Sequence, residues 1–302
     1  MKPLLIIGGA TGSGKSDIAV TCAKILDGEV ISCDSMQIYR GLDVGTAKIR
    51  PEETEGVPHH MIDVVDPKDG FTAADYKAQA TQAIETILSK GKVPILCGGT
   101  GLYVNAVLYD LSFSGDFDPE LRASLQKEAQ EKGKAYMHEK LASLDPEAAT
   151  RLHVNDEKRV IRAIEKALTG GTKENDFSEA KYSYRLFITD LPREELYKKI
   201  DRRVNKMMQE GLKAEVDHLL SEGVGFDKQC MQAIAYKEWA EEKSGNMTEN
   251  EVVELIKKNT RNYAKRQITW FKQYKDARRL NVWNRTKEDV AKEICDAYNE
   301  EI

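Results

Sequence analysis

The sequence Leu4-Leu5-Ile6-Ile7-Gly8-Gly9-Ala10-Thr11-Gly12-Ser13-Gly14-Lys15-Ser16 decides the fold of this 302-residue chain. A short apolar run, typical of a buried strand, leads into a glycine-rich loop, and a helical stretch follows from Asp17 to Leu26. The loop from Gly9 to Ser16 fits the phosphate-binding pattern GxxxxGK[ST]. Its glycines let backbone N–H groups converge on one anion at a helix N-terminus. We predict that Gly9 to Ser16 bind a diphosphate or nucleotide, with Lys15 on the outer phosphates and the Ser16 hydroxyl on Mg²⁺.

Four further apolar runs indicate that this loop belongs to an α/β fold. They alternate with helical stretches, and such alternation builds a parallel sheet. The runs are Val30 to Cys33, Val93 to Cys97, Arg185 to Thr189 and Leu280 to Trp283. We predict a P-loop NTPase-like core over residues 1–113 and 184–302 and a helical insertion domain over residues 114–183. The predicted insertion is charged, and the turn-forming segments 114–119 and 170–176 mark its edges.

The composition is typical of a globular protein from a reducing compartment. Apolar residues make up 41% of the chain, which is enough to fill the core of a large domain. The five cysteines show neither a CxxC pair nor the spacing of zinc ligands, so we expect free thiols and a cytoplasmic protein. We expect no signal peptide and no membrane span, because no apolar run approaches about 20 residues.

Positive charge is concentrated in two segments, although the net charge is −5. The segment from Lys257 to Arg279 has nine Lys or Arg residues and one acidic residue. We predict that the cations of this segment lie on a single helix that extends to Arg279. A second cluster in the insertion comprises Lys158, Arg159 and Arg162. A solvated basic helix is the ordinary interpretation of such runs, and a surface that binds RNA phosphates is the alternative.

An acidic residue, Asp34, directly follows the second predicted strand. Ligands of open parallel sheets bind beyond the carboxyl ends of the strands, so Asp34 is predicted to lie close to the phosphate loop. A carboxylate there can accept a proton from a nucleophile or help to hold a metal. Motor ATPases and GTPases are disfavoured, because the strand from Val93 to Cys97 runs into Gly98-Gly99-Thr100 without a carboxylate and no NKxD sequence is present.

Six motifs together resemble those of the bacterial tRNA dimethylallyltransferase family, in matching order across nearly the whole chain. They are GATGSGKS (9–16), DSMQIY (34–39), GTAK (45–48), GGTGLY (98–103), NDEKRVIRAIE (155–165) and KRQITWFK (265–272). The resemblance implies transfer of a dimethylallyl group from dimethylallyl diphosphate to N6 of the adenosine 3′-adjacent to a tRNA anticodon. In that family the phosphate loop holds the diphosphate leaving group.

The resemblance also implies roles for particular residues. Asp34 is expected to be the general base, Thr100 to face the substrate nucleotide, and Arg122 to lie near the reacting groups. Asp34, Ser35, Met36 and Gln37 are expected to receive an adenosine that is turned out of its stack, because a base within a folded loop cannot otherwise reach a deep pocket. Further tRNA contacts are expected at Lys158, Arg159, Val160, Ile161, Arg162, Lys265 and Arg266. We expect Mg²⁺ as cofactor and a monomer as the active species.

Some residues leave alternatives open. Arg122 also fits a solvated arginine on an insertion helix, Thr100 an ordinary helix N-cap, and Met36 core packing. The family often has glycine where this chain has Ala235, within a segment expected to contact tRNA. A small-molecule or nucleotide kinase is the main alternative function, and a non-catalytic RNA-binding protein that uses a nucleotide as a switch is another.

Overall fold

The structure is a computed structural model that describes residues 2–111, 113, 118–170, 177 and 179–300. The chain forms two compact units, one of Met1–Asp110 with Ser178–Ile302 and one of Leu111–Phe177. The segments 114–117 and 171–176, from which the sequence set the insertion's edges, lie outside the described residues. The second unit ends earlier than the predicted residue 183, because the following segment is bonded to the first unit. Lys181 N donates to Leu108 O at 2.7 Å, and Leu4 N donates to Ser183 O at 2.8 Å.

The first unit is built on a six-stranded sheet in which all paired strands run parallel. The strand order is β3-β2-β4-β1-β5-β6. The strands are β1 (Leu4–Gly9), β2 (Gly28–Cys33), β3 (His59–His60), β4 (Val93–Gly98), β5 (Tyr184–Asp190) and β6 (Arg278–Asn281). This sheet confirms the predicted α/β class, and each of the five predicted strands is present.

Helices cover both faces of the sheet. Alternate strand residues belong to two hydrophobic clusters: Leu4 and Ile6 to one, Leu5 and Ile7 to the other. Helices of the first unit are α1 (Lys15–Leu26), α2 (Ala73–Ser89), α3 (Gly101–Leu108), α7 (Arg193–Gln209), α8 (Leu212–Ser221), α9 (Trp239–Lys243), α10 (Glu249–Phe271) and α11 (Lys287–Glu300). Helices α1 and α11 contribute to the Leu5 cluster, and α2, α3, α7, α8 and α10 to the Leu4 cluster.

The basic C-terminal helix is shorter than predicted. Helix α10 ends at Phe271, and Arg279 lies on strand β6, where Nη1 pairs with Asp190 Oδ2 at 3.1 Å. Arg279 Nη2 also donates to Phe271 O at 2.9 Å, so it satisfies a carbonyl of the helix's last turn. The predicted helix through Arg279 is therefore wrong, because the spacing of the cations continued across a helix end.

The second unit is helical, with α4 (Pro119–Leu144), α5 (Pro146–Arg151) and α6 (Glu157–Leu168). Helix α4 is interrupted at Gly133, whose φ of 82° lies in the left-handed region that glycine tolerates. The core of the second unit contains Leu125, Met137, Leu141, Val160 and Ile164. In the parts of the chain that the structure describes, no helix has both the length and the apolar character needed to cross a membrane.

Candidate active site

Three strand ends meet at one edge of the sheet and bring the predicted site together. Cys33 of β2 pairs with Gly98 of β4, and Gly98 pairs with Gly8 of β1. The segments that leave these strands are the phosphate loop, the Asp34 segment and the Gly99-Thr100 segment. Gly98 is required for this approach, because a β-carbon there would collide with the backbone of Cys33.

The phosphate loop has the backbone that its glycines predict. Gly12 and Gly14 have φ values of 81° and 86°, in the left-handed region, and α1 begins at Lys15. Ser13 Oγ and Thr189 Oγ1 share a hydrogen bond of 2.7 Å, which ties the loop to the end of β5. Lys15 Nζ donates to Ala10 O at 3.2 Å across the loop. The loop is thus held in a shape that can receive an anion at the N-terminus of α1.

A half-buried arginine from α7 completes the positive wall around this loop. Arg203 Nη1 donates to Thr11 Oγ1 at 3.2 Å, and Nη2 donates to Thr46 O at 3.0 Å. Burial lowers the pKa of the Arg203 guanidinium, and the charge of Asp34 opposes that change. Burial likewise lowers the pKa of Lys15, while Cys97 and Asp34 act in the opposite direction. Both cations are partly withdrawn from solvent, so they attract an incoming diphosphate more strongly than they would in bulk water.

These groups line a cavity of about 400 Å³, which we call the phosphate pocket. It is bounded by the phosphate loop, by Asp34 and Gln37, by the segment from Asp43 to Arg50, and by α7. Its lining includes Thr11, Gly12, Gly14, Lys15, Ser16, Asp17, Lys199, Arg203 and Lys206. The volume falls within the usual range of small-molecule sites.

A second cavity of about 280 Å³ lies beside the phosphate pocket. We call it the Tyr263 pocket, after an aromatic residue of α10 that lines it. Ser35, Met36, Gly45, Thr46, Gln232, Ile234, Ala235, Lys237 and Arg266 also line it. Thr11, Asp34, Arg203 and Met207 line both cavities, so the two pockets share a wall that carries the carboxylate.

Asp34 is half-buried in this shared wall. Its Oδ1 accepts from Met36 N at 2.9 Å, the local turn bond that aspartate often makes, and Oδ2 has no protein hydrogen-bond partner among the described residues. Thr100 precedes α3, and its hydroxyl accepts from Ser35 N at 3.2 Å instead of capping the helix. The structure therefore brings Asp34, Ser35, Met36 and Thr100 together.

Gln37 faces the phosphate pocket and not the Tyr263 pocket. Its Oε1 accepts from Ser32 Oγ at 3.2 Å, and its Nε2 donates to the carbonyls of Thr46 and Ala47 at 3.4 Å each. The side chain thus bridges protein groups in this structure. If Gln37 Nε2 donated to a base edge, one of its two bonds to these carbonyls would have to be given up.

Gln267 of α10 links the basic helix to the phosphate loop. This buried side chain accepts from Thr11 N at 2.9 Å and donates to Gly99 O at 3.0 Å. Neither Gln267 nor Arg203 was predicted from the sequence. Gln267 stands inside the KRQITWFK motif, so the motif was a signal for it, whereas Arg203 lies in none of the six motifs.

The predicted tRNA-binding cations of the first unit are exposed. Lys265 and Arg266 lie on the solvent side of α10, while Ala264 and Gln267 are buried. The Arg266 guanidinium stands 5.7 Å from the ring of Tyr263, within range of a cation–π contact. Arg266 therefore belongs both to the exposed basic face and to the lining of the Tyr263 pocket.

The second unit places its predicted residues in two different environments. Lys158 and Arg159 are exposed on α6, whereas Val160 and Ile161 are buried in the core of this unit. Helical periodicity turns the side chains of Val160 and Ile161 inward, and their contact with tRNA stays a prediction.

Two other cations of this unit share one buried carboxylate. Arg122 and Arg162 both pair with Glu165, which is fully buried, and Arg162 Nη1 lies 2.6 Å from Glu165 Oε2. The single negative charge of Glu165 neutralises only one of the two arginine charges, so a net positive charge remains.

The donor groups near the phosphate loop fit Mg²⁺ better than a transition metal. Ser16 is exposed at the start of α1, and the phosphate pocket also contains the carboxylates of Asp17, Asp34 and Asp43. Oxygen ligands of this kind suit Mg²⁺, which usually keeps several waters and binds substrate phosphates. Among the described residues no cluster of three or more His, Cys, Asp or Glu forms a ready-made metal site. A metal here would therefore be held largely by a bound diphosphate.

The chain is similar in sequence to a family of known proteins over most of its length. The family described as IPP transferase matches residues 37–274. A tRNA dimethylallyltransferase of Exiguobacterium sp. is 42% identical over 296 residues, covering 97% of this chain and 95% of the relative. A tRNA dimethylallyltransferase of Bacillus subtilis is 46% identical over 277 residues, covering 90% of this chain and 88% of the relative.

Solved structures of similar proteins share the fold. A tRNA isopentenylpyrophosphate transferase from Bacillus halodurans is 39% identical with a TM-score of 0.75, covering 100% of this chain and 98% of that chain. A eukaryotic dimethylallyltransferase described as acting on tRNA is 26% identical with a TM-score of 0.78, covering 100% of this chain and 78% of that chain. These similarities confirm the resemblance that the six motifs indicated.

Proposed function

We propose that this chain, which belongs to the IPP transferase family, transfers a dimethylallyl group from dimethylallyl diphosphate to N6 of the adenosine 3′-adjacent to a tRNA anticodon. The observation that carries the proposal is the wall shared by the two pockets, with Asp34 in it. A group-transfer enzyme must hold its donor and its acceptor side by side, and a carboxylate between them is placed to accept a proton. The names of the relatives favour this transfer over a kinase reaction.

The donor's diphosphate is proposed to bind in the phosphate pocket. The N–H groups of the loop from Gly9 to Ser16, the Lys15 ammonium and the Arg203 guanidinium surround this space. Negative charge accumulates on the diphosphate as the carbon–oxygen bond breaks, so these cations stabilise the transition state more than the ground state. Mg²⁺ held by Ser16 and the diphosphate oxygens would neutralise part of this charge when bound.

The acceptor adenine is proposed to enter the Tyr263 pocket after it has turned out of the anticodon loop. Its lone pair at N6 is delocalised into the ring, so the amine needs a base as it attacks the allylic carbon. The N6–carbon bond forms as the carbon–oxygen bond breaks, the electron pair leaves with diphosphate, and the N6 proton passes to Asp34. Thr100 holds the Asp34 segment through its bond from Ser35 N, which supports a positioning role for this residue.

The RNA is proposed to meet cations of each unit, of which Arg162 is half-buried and the others are exposed. Lys265 and Arg266 supply positive charge on α10, and Lys158, Arg159 and Arg162 supply it on α6. Arg122 carries a cation beside Glu165 in the second unit, and its predicted contact with the reacting groups stays a prediction. We also propose that the active species is a monomer.

The test is incubation of the protein with dimethylallyl diphosphate, Mg²⁺ and unmodified tRNA, followed by mass analysis of the nucleosides. The proposal expects an adenosine that has gained one dimethylallyl group and lost one hydrogen. A parallel incubation with labelled ATP and candidate metabolites tests the kinase alternative. The proposed function would be contradicted if a metabolite were phosphorylated and the tRNA remained unmodified.

A further inference from the structure

A short loop separates the two pockets and contributes to both. Asp43, Val44 and Ala47 line the phosphate pocket, and Gly45 and Thr46 line the Tyr263 pocket. We call residues 43–47 the partition loop. Ala47 has a φ of 45°, in the left-handed region that a non-glycine residue adopts only with support from its surroundings.

The partition loop acts on the donor site through a backbone carbonyl. Thr46 O accepts from Arg203 Nη2 at 3.0 Å, and Arg203 also donates to Thr11 in the phosphate loop. The position of this carbonyl therefore helps to set the direction of the half-buried Arg203 guanidinium. A displaced loop would release Arg203 from one of these two partners and change the wall between the pockets.

One carboxylate of α8 binds the loop through three successive N–H groups. Glu215 Oε2 accepts from Asp43 N at 2.9 Å and from Val44 N at 2.7 Å, and Oε1 accepts from Gly45 N at 3.0 Å. Charge-assisted bonds of this kind are stronger than neutral ones, and three of them fix both the position and the tilt of the loop. Glu215 itself lines neither pocket.

Tyr236 is the fourth hydrogen-bond donor to Glu215, and its ring packs closely against Gly45 of the partition loop. Its hydroxyl donates to Glu215 Oε1 at 2.5 Å, and a β-carbon on Gly45 would lie 2.5 Å from the Tyr236 ring. Burial, followed by the charge of Glu215, raises the pKa of Tyr236 well above its ordinary value, so the hydroxyl remains a donor. The glycine of the GTAK motif is thus explained by the close approach of Tyr236.

We propose that Glu215 is a positioning residue for the transfer reaction, which orients the partition loop and, through Thr46 O, the Arg203 guanidinium between the two pockets. This proposal rests on the proposed function. Glu215 acts at a distance from both substrates, so it is expected to affect the rate of the chemical step more than the binding of tRNA.

The test is Glu215→Gln in single-turnover transfer, with donor and tRNA both saturating. A glutamine keeps the shape but has one acceptor oxygen, and its NH₂ group faces N–H donors of the loop. We expect the rate constant to fall about 10-fold to 10²-fold at full reaction amplitude, since a small misplacement of reacting groups has effects of this size. The affinity for tRNA is expected to stay within about twofold, because phosphate contacts at other sites dominate it.

Amplitude separates positioning from general destabilisation. A residue that only stabilises the fold lowers the fraction of active molecules and leaves the rate constant of the remainder unchanged. Glu222→Gln, an exposed carboxylate just after α8, is the matched control and should behave as wild type. Tyr236→Phe keeps the ring and removes one of the four donors to Glu215, so we expect a smaller decrease in the rate constant. If Glu215→Gln does not fold, Tyr236→Phe is the variant that tests the proposal.

A wild-type rate constant in Glu215→Gln, or a loss confined to amplitude, would overturn the positioning role. If only Tyr236→Phe folds, its wild-type rate constant would overturn it as well. An inactive wild-type protein would contradict the proposed function itself, so the two failures are distinguishable.

Discussion

The two carboxylate oxygens of Asp34 have different surroundings, and this difference supports a role as general base. Oδ1 fixes the carboxylate by accepting from Met36 N, while Oδ2 remains for chemistry. Asp34→Asn keeps the shape and loses the basicity. We expect transfer to slow by about 10²-fold or more, within the usual range for a positioned general base, while tRNA affinity is retained. Single-turnover rates with saturating substrates check this, and a near-normal chemical step would leave Asp34 as a structural residue.

Lys15 predicts a pH dependence of donor binding. Burial lowers its pKa in the free protein, and a bound diphosphate would favour the protonated form and raise that pKa again. The complex then binds more protons than the free protein, so affinity should weaken as pH rises through the lowered pKa of free Lys15. Calorimetry in buffers of different ionisation enthalpy should detect proton uptake. Lys15→Ala should lose both the uptake and most of the affinity, and equal uptake in the variant would contradict the assignment.

Ala235 is under backbone strain at the edge of the Tyr263 pocket. Its φ of 80° is a left-handed value, at a position where the resembling family often has glycine. Ala235→Gly should raise the free energy of unfolding by about 0.5–1 kcal/mol, because relief of the strain exceeds the added entropy of the unfolded chain. The matched control is Ala233→Gly, at a φ of −65°, which should lower stability. Urea midpoints measure both changes, and a lower midpoint for Ala235→Gly would contradict the strain.

At the scale of elements, helix α10 packs against the core with one face and presents cations to solvent with the other. Ile256, Ala264, Gln267 and Phe271 are buried, and Gln267 bonds the phosphate loop. The other face presents exposed cations to solvent. This arrangement gives the helix a rigid base from which charge can meet RNA phosphates.

The exposed face of α10 predicts a salt-dependent affinity for tRNA. Lys265→Gln and Arg266→Gln should each reduce the slope of log affinity against log salt by about one unit for each RNA phosphate that the variant no longer neutralises. Lys292→Gln on α11, which packs on the other face of the sheet, serves as the control and should leave the slope unchanged. If the α10 variants also keep the wild-type slope, this helix does not contact the RNA backbone.

Local patterns predicted the elements well and the bonds between them poorly. Apolar runs identified β1, β2, β4 and β5, and β6 with a shift of two residues, because burial of a strand leaves a mark on consecutive residues. Arg203 meets Thr11 across 192 residues of sequence, and Gln267 meets it across 256. Such long-range bonds leave no local signal. The sequence treated residues 158–162 as one tRNA-binding run, whereas helix periodicity places Lys158 and Arg159 on an exposed face and Val160 and Ile161 on a buried one.

At the scale of the whole molecule, segments from both ends of the chain build one site. The phosphate loop comes from the first residues, Arg203 from α7 and Tyr263 from α10, and the parallel sheet brings their surroundings together. Two adjoining pockets with a carboxylate in the shared wall suit a reaction between two bound substrates. Hydrolysis of a nucleotide would need only one of them.

The most direct test of the proposed transfer therefore measures both products of one turnover in the same quenched samples. Diphosphate and prenylated nucleoside are quantified after the protein is mixed with dimethylallyl diphosphate, Mg²⁺ and unmodified tRNA, with and without ATP. We expect equal amounts and equal rates for the two products, no diphosphate release without tRNA, and no requirement for ATP. Diphosphate release in the absence of tRNA at the same rate, or prenylation that depends on ATP hydrolysis, would contradict the proposed transfer.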